Sequence, residues 1–290
     1  MNDPHVDMLH YSIRHSEGVD YTAASPQEGR HTSFTVRIES GQATVSMVDH
    51  CATAEDARVI VEPFLRAWEL SSALSDWSGF EFVFQRADII DRSPSPRSLD
   101  AQAGFHAVGG LRTSEKVQKA TYPTPPVGLA TDAYVEMMFD RYRNYRKGLT
   151  TLSDAANFCL TAVEHAGLTA LASGKARDRA AKHFYIERMV LNKVGELCST
   201  KGGAEARKAI GVKHEFSNAE RTWLQEAMKK LIHRAAEVAN DSSIKYPKIT
   251  MAHLPPLPLG ARAICCQHVL AAPQARVGIS PIRRMERRRL

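Results

Sequence analysis

The chain has 290 residues, of which 43% are hydrophobic and 24% are charged, and its formal net charge is +6. These proportions are typical of a globular protein with one large domain or two ordinary ones. No run of about 18 apolar residues occurs and no secretory signal is visible, so we expect a cytoplasmic protein without membrane contact.

Residues 8–92 are predicted to form an α+β domain, a small antiparallel sheet with one helix. Two neighbouring segments have alternating hydrophobic residues and are separated by a glycine turn, which indicates a β-hairpin. Their inward-facing residues are Phe34, Val36 and Ile38, followed by Ala43, Val45 and Met47. A further strand is marked by Phe80, Phe82 and Phe84.

Between these strands the sequence predicts one helix. Thr53 is the expected N-cap, with Asp56 three residues later in a variant of the capping box. Pro63 lies within the helical pattern, so a kink or a break is expected there. The predicted apolar face consists of Val59, Ile60, Phe64, Ala67 and Trp68.

Residues 93–130 are rich in Pro, Gly and Ser and are interpreted as a linker or a partly packed loop.

From Thr131 onward the hydrophobic residues recur at the spacing of an α-helix, and residues 131–241 are predicted to form a bundle of four or five helices. One helix is expected over 176–198. The last helix opens with a capping box formed by Ser217 and Glu220.

Residues 261–290 contain seven Arg and one Glu and have no sustained hydrophobic period, which predicts a disordered, Arg-rich tail. Cys265, Cys266 and His268 lie there, but no second pair of ligands accompanies them, so we predict no metal site and no cofactor.

The charge of the remaining chain is segregated. Residues 1–100 carry a net charge of −8, whereas residues 175–234 carry +7, which is typical of a surface that attracts polyanions or of an interdomain contact.

The main candidate for chemistry is the pair Arg207 and His214 in "ARKAIGVKHEF", just before the last helix. Histidine can take a proton from a ribose 2′-hydroxyl, and arginine can stabilise the charge that develops on phosphorus without a metal. Six residues separate this Arg from the His, and spacings of four to six residues also occur in Arg177–His183 and Arg262–His268. Because spacing alone does not separate these pairs, the position before a capped helix favours Arg207 and His214.

The helical half resembles a HEPN domain (higher eukaryotes and prokaryotes nucleotide-binding). The resemblance rests on a first helix "AYVEMMFDRYRNYRKG", a second with a mid-helix acid at Glu164, and an Arg–His signature before a capped last helix. The layout of an N-terminal β-rich domain and a helical bundle also resembles anti-phage proteins of the ApeA type. Lys208 follows the Arg, where many family members have Asn, Asp or His.

This resemblance implies a metal-independent ribonuclease in which Arg207 and His214 are catalytic and Lys208 and Lys213 contact RNA. It also implies a homodimer, since HEPN sites usually combine two bundles around one phosphate. The alternative is a non-catalytic interaction or regulatory protein whose helical bundle dimerises and whose acidic domain senses a partner. The predicted partners are accordingly RNA and a second copy of the chain.

Overall fold

The computed structural model describes residues 3–15, 19–21, 23–76, 79–93, 117–201 and 214–257. Residues 3–93 contain an antiparallel sheet with one helix, and residues 131–241 contain five helices, so the predicted α+β domain followed by a helical bundle is confirmed. Both halves belong to one compact unit, Met1–Pro256. In the described part of the chain, no helix combines the length and apolarity that a membrane crossing needs.

Seven strands occur in the described residues, and five of them form one antiparallel sheet in the order β3-β4-β5-β1-β6. A short parallel pair joins β2 to β7. The strands are β1 (Pro4–His15), β2 (Val19–Asp20), β3 (Gln27–Arg30), β4 (Phe34–Glu39), β5 (Gln42–Met47), β6 (Phe80–Asp91) and β7 (Val117–Gln118).

The predicted hairpin is confirmed as β4 and β5. The inward-facing residues of both strands are buried, and Glu39 pairs with Gln42 across a two-residue turn. Ser40 and Gly41 in this turn have φ values of 50° and 78°. This left-handed pair matches the right-handed twist of the strands, which explains the glycine.

Strand β1 was not predicted from the sequence, although it lies between β5 and β6 and pairs with both. Its buried residues Leu9, Tyr11 and Ile13 do alternate. The alternation fails nearer the N-terminus because the register with β6 shifts between Val6 and Met8, as at a β-bulge.

Helix α1 (Ala54–Asp76) packs one face on the sheet and continues through Pro63. No break occurs, because Pro63 is exposed and water can replace the backbone hydrogen bond that proline removes. The predicted apolar face was partly wrong, since Val59 and Ile60 are exposed. The helix instead buries Ala57, Val61, Leu65 and Trp68 in the core of the sheet half.

Residues 117–125 pack against the sheet half. Tyr122 is buried and stacks on Tyr21, with ring centroids 5.0 Å apart. The carbonyl of Pro123 accepts a hydrogen bond from the Trp68 indole at 3.0 Å. This part of the predicted linker therefore contributes to the core, while residues 94–116 lie outside the described residues.

The bundle comprises α2 (Ala133–Arg146), α3 (Leu152–Ala170), α4 (Ala176–His183), α5 (Arg188–Thr200) and α6 (Asn218–Asn240). Helix α3 is central and contacts the other four. The capping box of α6 is confirmed, with both the Ser217 and the Glu220 side chains accepting backbone hydrogen bonds.

The single helix predicted over 176–198 was wrong, because the chain turns between α4 and α5. Tyr185 has a φ of 50°, which no helix continues through. The Arg234 guanidinium of α6 donates to the carbonyls of Phe184 and Tyr185 at 3.0 and 3.2 Å. A buried cation from a distant helix thus stabilises this turn.

Helices α3 and α4 cross closely at Gly167. A Cβ atom on Gly167 would lie 2.7 Å from both the Cα and the amide nitrogen of Ala180. Alanine normally stabilises a helix relative to glycine by about 1 kcal/mol. Here Gly167→Ala should instead lower the free energy of unfolding by about 1–3 kcal/mol, because backbone must move to admit the methyl group.

Urea denaturation measures the free energy of unfolding of Gly167→Ala against that of the wild type. Gly195→Ala is the comparison, because its Cβ would meet the guanidinium of Arg177 rather than backbone. A side chain can shift more easily than two packed helix backbones, so the loss in Gly195→Ala should be smaller. A Gly167→Ala protein as stable as the wild type would contradict the close crossing.

Candidate functional site

His214, the predicted catalytic base, lies at the surface immediately before α6. Its side chain is exposed, and its backbone forms an isolated parallel bridge with Lys201, the residue after α5. The N-cap of α6, Ser217, follows three residues later. These contacts hold the backbone of His214 in place while its imidazole faces solvent.

The other predicted site residues, Arg207, Lys208 and Lys213, fall within 202–213, outside the described residues. Their contacts with His214 stay a prediction. The bridge between Lys201 and His214 does bring the two ends of this segment together.

A lysine and a carboxylate accompany His214 at this bridge. Lys201 Nζ lies 3.2 Å from Glu220 Oε1, and Glu220 Oε2 accepts hydrogen bonds from the N–H and the hydroxyl of Ser217, both at 2.9 Å. Burial alone would raise the pKa of Glu220, but these hydrogen bonds and the Lys201 ammonium hold it below its ordinary value. Glu220 is therefore ionised at neutral pH and neutralises Lys201.

Sequence reasoning identified Glu220 only as a helix cap and overlooked Lys201. The only sequence feature that points to Lys201 is its place at the C-terminal end of a predicted helix, and lysine is common at that position. Lys201 and His214 are separated in the sequence by residues 202–213, so local periodicity could not reveal that their backbones pair.

A second Arg–His pair from the sequence analysis, Arg177 and His183, lies on α4. Arg177 Nε donates to Glu164 Oε1 of α3 at 2.7 Å, and its Nη1 donates to Asn192 Oδ1 of α5 at 3.2 Å. Burial lowers the pKa of His183, whose ring contacts Phe184. Arg177 thus joins three helices, and its guanidinium is already bound to a carboxylate.

Most basic side chains described in the +7 segment, 175–234, are neutralised locally. Six of them form ion pairs with carboxylates, namely Arg177, Arg188, Lys193, Lys201, Lys229 and Arg234. Four of these carboxylates belong to the segment and are already counted in its net charge of +7. Only Glu164 and Glu237 lie outside it, so these two pairs alone lower its positive charge further.

Among the described residues, no group of three or more His, Cys, Asp or Glu side chains could hold a metal ion. Comparisons with protein-family models, with curated proteins and with solved structures each give no match.

Proposed function

We propose that the chain is a metal-independent RNA-cleaving protein of HEPN-like type, in which His214 is the base and Arg207 binds the reacting phosphate. The observation that supports this proposal is the position of His214. Its imidazole is exposed, and its backbone is held by the bridge to Lys201 and by the approach to a capped helix. A general base needs both access to substrate and a fixed position.

In the proposed reaction His214 takes the proton of a ribose 2′-hydroxyl. The 2′-oxygen then forms a bond to phosphorus, the bond from phosphorus to the 5′-oxygen breaks, and the departing oxygen takes a proton from water. Arg207 donates hydrogen bonds to the phosphate oxygens as their charge increases, with Lys208 and Lys213 binding neighbouring phosphates. Two copies of the chain would place two such pairs around one phosphate.

The test is RNA cleavage in the presence of EDTA. Removing a general base typically lowers the rate by about 10²–10⁴-fold, so His214→Ala should reduce cleavage by that factor. Arg207→Lys keeps the charge but loses the planar fork of donors and should also be impaired. His233→Ala is the matched control, because His233 is another exposed histidine in the helical half.

Cleavage that His214→Ala leaves unchanged would come from a contaminant or from another site. That result, or no cleavage by the wild type, would contradict the nuclease proposal. The fold of each variant is checked by circular dichroism, so that loss of activity is not confused with loss of structure.

The second candidate function is that of a non-catalytic interaction protein that dimerises through the bundle. It is favoured by the ion pairs of the 175–234 segment, which hold six of its eleven described cations against carboxylates. Large apolar side chains are also exposed in the helical half, at Met137, Leu149 and Met189. Sedimentation of the wild type as a stable dimer with no RNA cleavage would support this candidate.

A further inference from the structure

A cleft of about 510 Å³ lies between the sheet half and α2, away from His214. The end of β1 and the start of β6 form one wall, and the C-terminal half of α2 forms the other. Phe80, Phe139 and Tyr142, all almost completely buried, close its floor. Ligand-binding pockets commonly enclose about 300–1,000 Å³, so the cleft has the size of a small-molecule site.

The charge that lines this cleft is strongly positive. Among its described lining residues four are cationic, namely Arg14, Arg143, Arg146 and Lys147, and Glu81 is the single carboxylate. This excess contrasts with residues 1–100, which carry 16 acidic and 8 basic side chains.

Three of these cations lie at the end of α2, where positive side chains interact favourably with the helix dipole. That effect does not account for Arg14, which comes from β1. Arg14 and Arg143, from different halves of the chain, both approach Glu81, and the distance from Arg14 Nη1 to Glu81 Oε2 is 3.7 Å. Two guanidiniums therefore converge on one anionic group.

We propose that this cleft binds a small organic phosphate of mononucleotide size. The phosphate would interact with Arg14, Arg143 and Lys147, since guanidinium and ammonium groups are the usual phosphate ligands. Arg14 is 71% exposed and holds Glu81 only loosely, so it can turn towards a ligand. The volume exceeds that of inorganic phosphate, which leaves room for an organic group.

The site is separate from Arg207 and His214, and its test does not depend on RNA cleavage. Binding is measured by titration calorimetry at low salt, with AMP, ATP and pyrophosphate as probes. Adenosine tests whether the phosphate is required, and inorganic phosphate tests whether the organic group contributes. A short single-stranded RNA tests the alternative that the cleft is a general polyanion surface.

The double variant Arg14→Gln with Lys147→Gln should weaken binding of the tighter of AMP and ATP by at least about tenfold, which corresponds to about 1.4 kcal/mol. Glu81→Gln should tighten binding of the same nucleotide several-fold, because this variant removes the carboxylate that competes with the phosphate. The variant also loses an ion pair, so a gain in affinity could not come from a more stable fold. The matched control is Arg37→Gln with Lys182→Gln, two exposed cations that do not line the cleft.

Unchanged binding by the control double variant supports the proposal. The proposal is overturned if neither AMP nor ATP binds the wild type, or if adenosine binds as tightly as AMP. It is also overturned if inorganic phosphate or pyrophosphate binds as tightly as the better of the two nucleotides. It is also overturned if RNA alone binds, if the cleft double variant binds like the wild type, or if the control loses as much affinity.

Discussion

Replacing Arg234 with methionine should lower the free energy of unfolding by about 3–5 kcal/mol, the range expected when one partner of a buried charged cluster is removed. The Arg234 side chain is only 7% exposed, and its Nε donates to Glu237 Oε2 at 2.7 Å. Its Nη1 and Nη2 donate to the carbonyls of Phe184, Tyr185 and Pro247.

Methionine preserves much of the apolar stem of Arg234 but removes its hydrogen bonds to the carbonyls of Phe184 and Pro247, while the carbonyl of Tyr185 keeps the N–H of Ile249. Buried acceptors that lose a partner bear the cost of desolvation, and Tyr185, whose backbone is left-handed, would lose one of the two hydrogen bonds to its carbonyl. The turn between α4 and α5 should therefore become the weakest part of the bundle.

Urea denaturation measures the loss, with Arg188→Met as the matched control. Arg188 also forms an ion pair, at 2.9 Å from Asp178, but its side chain is 54% exposed. Exposed pairs contribute up to about 1 kcal/mol, so the control should be close to wild type. Equal losses in both variants would contradict the role of the buried carbonyls.

The second large effect is expected at Arg66, which joins the two halves of the chain. Its guanidinium donates to Glu69 of α1 at 2.6 Å and to Glu136 and Asp140 of α2 at 2.9 and 3.2 Å. The Glu69 side chain is only 5% exposed, and its other oxygen accepts the Phe82 N–H of β6 at 2.7 Å. Arg66 thus compensates a buried carboxylate at the contact between the sheet half and the bundle.

Arg66→Met should lower the free energy of unfolding at neutral pH by about 2–3 kcal/mol, less than a fully buried pair because Arg66 is 29% exposed. Arg58→Met is the matched control. Arg58 lies on the same helix with 32% exposure, but its partners Glu55 and Glu62 are both substantially exposed.

The loss in Arg66→Met should depend on pH. Burial raises the pKa of Glu69 above 4.5 even in the wild type, and removing Arg66 raises it further. A carboxyl with a raised folded-state pKa opposes folding increasingly as pH rises from the unfolded-state value of 4.5 to the folded-state value, and this cost disappears as pH falls back towards 4.5. The deficit of Arg66→Met should therefore shrink on acidification, whereas a deficit that is constant with pH would exclude the charge on Glu69 as its cause.

The sequence by itself determined features that depend on neighbouring residues. Alternation in β4 and β5 predicted their buried faces, because successive side chains of a strand point to opposite sides. Ser217 and Glu220 predicted the start of α6, because a capping box requires only four consecutive residues. Trp223, Leu224 and Met228 recur at helical spacing along α6 and are fully buried.

Only the tertiary structure decided which distant residues meet. Strand β1 lies inside the sheet, between β5 and β6. The turn after α4 accepts a hydrogen bond from Arg234, which is 50 positions away from Phe184. The backbone of Lys201 pairs with that of His214. The tertiary structure also brought Arg14 and Arg143 to the same carboxylate, although one belongs to a strand and the other to a helix of the second half. A periodic pattern shows which side of an element is buried, but the partner of a charged side chain depends on how separate elements pack, and that packing is a property of the whole chain.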